Sequence, residues 1–190
     1  MNRLITFPIN KDESIEIQTF SEDEEIHRYE EISIVYKRGN IKYILYSNDF
    51  IIEALSALKT LLNKAINGEL ELHDSLIEKG IGFWSNENFQ NNSGLVMLEG
   101  KEGKYWVGDK YLLWDSVEYQ TWIYNLNNEV AIEVTPTYRW HFDEPDEEAN
   151  DYISYEKFRA NYKTCFVKTF SLHIAKSWLN QCQEVLNKLT

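Results

Sequence analysis

Apolar and polar positions alternate early in the chain. In Ser14–Phe20, Ile15, Ile17 and Thr19 fall on one face while Glu16 and Gln18 fall on the other. Period two of this kind predicts a half-buried strand. Two further arms, Glu31–Arg38 and Ile41–Ser47, alternate in the same way around Gly39-Asn40. That pair tolerates the positive φ of a tight primed turn, so a hairpin is predicted. The period then changes. Ile51, Leu55, Leu58, Leu62 and Ala65 recur at helical spacing, widened by Phe50, Ile52, Leu61 and Ile66. A buried helix over Phe50–Asn67 follows, capped by Asn48 or Asp49 and ended at Gly68.

After residue 68 the pattern weakens. Gly80–Trp84 reads as a loop or short strand, and Asn86–Ser93 (NENFQNNS) as an exposed, turn-rich segment by composition. An aromatic block, Tyr105–Phe142, holds four of the six Trp. Within and beside it, Lys104–Val107, Tyr111–Trp114, Val117–Asn125, Val130–Thr135 and Tyr138–Phe142 are predicted strands, separated by short links that suit antiparallel neighbours. Ser154 can cap a helix to Tyr162, Lys163–Phe170 reads as an edge strand, and Ser171 caps a last helix whose stripe is Ile174, Trp178, Cys182, Val185 and Leu189. Strands are clustered and do not alternate with helices. The prediction is therefore α+β, one domain over 1–190, with a mainly antiparallel meander sheet packed against two long amphipathic helices.

Composition narrows the function. The chain has 190 residues, 43% of them hydrophobic, enough for a real core. Acids outnumber bases 31 to 19, for a net charge of -12. Such a surface disfavours nucleic acid and anionic lipid and steers a basic protein partner. No apolar run has signal-peptide or membrane-span length, which predicts a cytoplasmic protein. Cys165 and Cys182 fall in different predicted elements without C-x-x-C spacing, so reduced thiols are expected. Residues 143–151 (DEPDEEAND) carry six acids and no base, which predicts a solvated loop and fixes no oligomeric state.

Candidate chemistry is sparse. His27, His73, His141 and His173 have no metal-ligand spacing, and neither a G-x-S-x-G elbow nor a phosphate loop appears. No catalytic residue, metal or cofactor is predicted. His141 stands apart because it precedes the acidic run. With Glu133, Glu118 or Asp115 nearby it would have the parts of a general base. Tyr138, Trp140 and His141 with Asp143, Glu144, Asp146, Glu147, Glu148 and Asp151 form the predicted binding surface, aromatic anchors beside concentrated charge.

The stretches WDSVEYQTWIYNLNNEVAIEVTPTYRWHF (114–142) and YISYEKFRANYK (152–163) resemble small acidic bacterial proteins of unassigned function. Some of these resemble immunity proteins of polymorphic-toxin and contact-dependent-inhibition systems. The resemblance implies a cytosolic α+β domain that binds and blocks a cognate toxin, and it transfers no functional residue. The expected function is thus a non-enzymatic protein-binding module of immunity or inhibitor type. The alternatives are an enzyme using His141 with nearby carboxylates, a structural or assembly subunit, and a DNA mimic.

Overall fold

Residues 2–21, 26–92, 97–100, 103–141 and 152–189 are described by the structure, a computed structural model. The predicted acidic run after Ser21, the turn at 101–102, Phe142 and the whole 143–151 loop lie outside the described residues.

The first sheet is antiparallel in chain order: β1 (Asn2–Pro8), β2 (Glu13–Thr19), β3 (Glu31–Arg38) and β4 (Ile41–Phe50). Its hairpin turns where the sequence predicts, with Arg38 opposite Ile41 and Gly39 at φ 55°. Register puts Ile15, Ile17, Ile34 and Tyr36 on one face, and all four are buried. β4 runs on to Phe50, so Asn48 and Asp49 are not caps. Asp49 instead accepts from the Tyr46 hydroxyl and the Phe50 amide, each at 2.7 Å. The following helix α1 (Ile51–Ile66) starts with no side-chain cap. Its first amides find carbonyls in the loop before β3: Ile51 N–H donates to Glu30 and Ile52 N–H to Arg28. Orphan donors of a helix start are satisfied this way without Ser, Asp or Asn.

Two helices occupy the stretch expected to be irregular, α2 (Asp74–Lys79) and α3 (Ile81–Asn92). His73 caps α2, its Nδ1 accepting from the Ser75 amide at 3.2 Å. Then β5 (Met97–Gly100) and β6 (Gly103–Trp106) pair only with each other, so the predicted strand at Lys104–Val107 stands outside the meander. A helical turn, α4 (Val107–Tyr111), leads into the second sheet: β7 (Leu112–Asp115), β8 (Tyr119–Leu126), β9 (Glu129–Pro136) and, after α5 (Tyr155–Ala160), β10 (Phe166–Phe170). Its order is β10-β9-β8-β7, with β10 at the edge as predicted. Asn127 and Asn128 both take positive φ between β8 and β9, as a primed turn requires. The chain ends in α6 (Leu172–Leu186), capped by Ser171 as predicted.

The predicted strand Tyr138–Phe142 does not form. Pro136 ends β9, and Arg139–His141 make a 3-10 turn. The amide of Tyr138 is taken by the Asn86 side chain at 2.9 Å rather than by a neighbouring strand.

The α+β class holds, with the described strands divided between two four-stranded sheets, joined by one buried apolar cluster, and the small β5–β6 ribbon. One face of the second sheet looks into that cluster. From it Trp114 Nε1 donates to the Ala54 carbonyl, and Asn125 Nδ2 donates to that of Ala65, both on α1. Glu13, 6% exposed, ties the sheets electrostatically: on β2, it receives Tyr36 and Arg38 of β3 and Lys168 of β10 (2.7 Å). Burial pushes its carboxyl up, but bonds from Lys168, Asn10 and Tyr36 hold it below the usual range. Burial also pushes both thiols up, Cys182 to about 12, so each packs as a small apolar group. Among the described residues no helix is long and apolar enough to cross a membrane.

Candidate functional site

The other face of the second sheet carries a different set of side chains. Gln120 and Trp122 of β8 stand beside Asp115 and Leu112 of β7, and Thr135 of β9 lies opposite Gln120. α3 covers this face, and two of its residues explain how the helix holds there. At Gly82 an added Cβ would lie 2.5 Å from the Thr135 Cβ and Cγ2 and closer still to its Oγ1. Only a bare Cα lets the helix sit so near the strand. One turn on, Asn86 is 3% exposed and fully engaged. Its Nδ2 donates to the carbonyls of Gly82 (2.8 Å) and Pro136 (3.2 Å), and its Oδ1 accepts from the Tyr138 amide. Asn86 thus fastens the chain after β9 onto α3 and sets the 3-10 turn.

That turn delivers His141. Its Nε2 lies 3.3 Å from Asn86 Oδ1 and its Nδ1 lies 3.0 Å from Gln90 Oε1. The Asn86 oxygen is fixed by its backbone bonds, so Nε2 carries the proton and donates. Nδ1 of a neutral ring is then an acceptor, and exposed Gln90 meets it by turning its amide nitrogen inward, an orientation assigned from the network. Phe89, Tyr138 and Tyr155 surround the imidazole at 4.8, 5.0 and 5.9 Å between centroids. This burial pushes its pKa down to about 4, so the ring is neutral near pH 7.

His141 lines a cavity of ≈290 Å³ together with Asp115, Gln120, Thr137, Phe89, Trp106 and Trp122. Asp115 is exposed at the mouth, yet the protein crowding its carboxyl pushes it up to about 6. Gln120 Oε1 and Thr137 Oγ1 are buried without a hydrogen-bond partner. Of the three carboxylates considered from sequence, only Asp115 shares the cavity with His141. Glu133 is buried elsewhere on the sheet, accepting from the Tyr124 hydroxyl at 2.9 Å. Glu118 is exposed and does not line the cavity.

Next to the cavity an aromatic cluster joins the turn to α5. Tyr138 is 5% exposed, packs against Tyr155 and Phe158, and donates to the Ile153 carbonyl at 3.0 Å. It is a buried strut rather than a surface anchor. Trp140 is half-buried, between Tyr152 (5.8 Å) and the Arg139 guanidinium (4.8 Å). An open groove of ≈640 Å³ runs between α3 and α5, lined by Phe83, Tyr155 and Arg159. Arg159 also pairs with Glu87 at 2.8 Å. Asp143, Glu144, Asp146, Glu147, Glu148 and Asp151 lie outside the described residues.

Asn86, Gln90, Trp106 and Gln120 were not visible as site residues in the sequence. The one available signal was the spacing of Gly82, Asn86 and Gln90, four apart on a helix face. Among the described residues no cluster of three His, Cys, Asp or Glu is placed to hold a metal. No family model matches the chain, and no curated protein or solved structure matches it either.

Proposed function

We propose that the chain is a non-enzymatic binding protein of immunity or inhibitor type, which engages a basic protein through the face formed by α3, the 3-10 turn and α5. One observation carries this reading. The 3-10 turn and the segment leading into α5 are held side by side. Tyr152 packs on Trp140, and the Tyr138 hydroxyl binds Ile153. In sequence, the stretch between them carries six acids and no base. The net charge of -12 adds a long-range field of the same sign.

The test uses the chain immobilised as bait in lysate of its source cells. The expected partner is basic and is released as salt rises. Reversing Glu147→Lys and Glu148→Lys should weaken that partner's binding about tenfold at low salt and flatten its salt dependence. Unchanged affinity and slope would sink the proposal.

A second reading is favoured by the placement of His141 and Asp115 around one cavity. A histidine and a carboxylate in a pocket are the parts of general acid–base catalysis. It ranks second because both ring nitrogens face amide side chains. It survives only if Asp115→Asn shifts the His141 titration followed by NMR.

A further inference from the structure

We propose that the cavity beneath the 3-10 turn is a receptor for one organic cation, an alkylammonium or guanidinium group. Only the source of that cation rests on the binding reading above: it would be a Lys or Arg side chain presented by the basic partner.

Size comes first. Cavities that hold metabolites and drug-sized ligands span roughly 300–1,000 Å³. At ≈290 Å³ this one suits a side chain or a small amine rather than a nucleotide. The chemistry of the wall selects among small groups. Rings of Phe89, Trp106 and Trp122 line it, and aromatic faces attract cations through their quadrupole. The Trp106 indole packs against Gly108, where an added Cβ would sit 2.8 Å from two of its ring carbons. Asp115 supplies a carboxylate at the mouth. Gln120 Oε1 and Thr137 Oγ1 are oxygens without a partner in the same wall. No Lys or Arg is among the lining residues, and the Nε2 proton of His141 is already directed at Asn86. A cation brings charge to a wall that has a carboxylate and aromatic rings. An anion would meet Asp115 and the field of an acidic protein. A neutral apolar group would leave Asp115 unanswered.

The experiment titrates n-butylammonium, n-propylguanidinium and neutral n-butanol into the full chain, followed by NMR of the indole and backbone N–H groups. Both cations should move Trp106, Trp122 and Gly108 and leave the buried Trp178 unmoved. Butanol should bind about tenfold more weakly, as the loss of a charge-assisted hydrogen bond implies. In Asp115→Asn, an exposed substitution whose folding the Trp178 signal reports, the cations should fall to the level of butanol. Equal binding of butanol and cations, unchanged cation binding by Asp115→Asn, or shifts confined to another surface would each overturn the proposal. A blocked lysine, N-acetyl-lysine methylamide, separates the sources. Binding as tight as butylammonium supports a protein-borne side chain; its exclusion overturns that link and assigns the cavity to a free amine. Charge reversal at Glu147 and Glu148 is read on the partner alone, so the two proposals fail separately.

Discussion

Trp178→Ala should lower the stability of the chain by about 3–5 kcal/mol. Trp178 is fully buried on α6, and its ring meets Phe7 of β1 at 5.3 Å and stacks on Phe170 of β10 at 4.6 Å. Its Nε1 donates to the Pro8 carbonyl at 3.0 Å. One side chain therefore fastens the last helix to both sheets. Alanine would leave a cavity between them and an unpaired carbonyl. Domains of this kind are stable by about 5–15 kcal/mol in all, so the variant should lose a large share of its stability. Trp178→Phe keeps the ring contacts and loses the hydrogen bond, so its cost should be nearer 1–2 kcal/mol. Urea denaturation of the three proteins checks this. An alanine variant within 1 kcal/mol of wild type would mean that the sheets are joined elsewhere.

Gly82→Ala should cost about 1–3 kcal/mol by overpacking, more than its gain in helix propensity returns. The new methyl would meet three side-chain atoms of Thr135, whose Oγ1 already accepts from Trp122 Nε1 at 2.9 Å. Relief requires α3 to move off the sheet, and Asn86 moves with it. The Tyr138 amide would then lose its acceptor and exchange faster with solvent. A lowered urea midpoint together with faster exchange at Tyr138 is the expected pair of results. An unchanged midpoint with Tyr138 still protected would show that the helix does not depend on this close approach.

The contrast between α1 and α3 shows what the chain reveals of itself. α1 repeats an apolar stripe over sixteen residues, so its period is readable without knowing what it packs against. β2, the β3–β4 hairpin and α6 are readable because their apolar positions also recur at a regular period. α3 scatters Ile81, Phe83, Trp84 and Phe89 among polar residues without a long apolar stripe, and Gly82 and Asn86 seat it against β9, about fifty residues away. Nothing local distinguishes such a helix from a loop, because its stability is tertiary. The turn at Arg139–His141 failed to read as a turn for a related reason. Tyr138 to Phe142 is aromatic enough for a strand, but Pro136 and the distant Asn86 decide otherwise. Of the candidate site, His141 and the possibility of Asp115 were legible as residue types. That these two share a cavity, and that Glu133 does not, depends on the pairing of β7 with β8 and on the seat of α3.

A basic partner seated on the face of α3, the 3-10 turn and α5, as proposed, would shield the backbone amides there. Hydrogen exchange of the chain alone and with its captured partner tests this most directly. Slowed exchange is expected in residues 81–92, 138–141 and 152–160, with β1–β4 unchanged. Protection confined to β1–β4, with those three stretches exchanging as in the free chain, would contradict it.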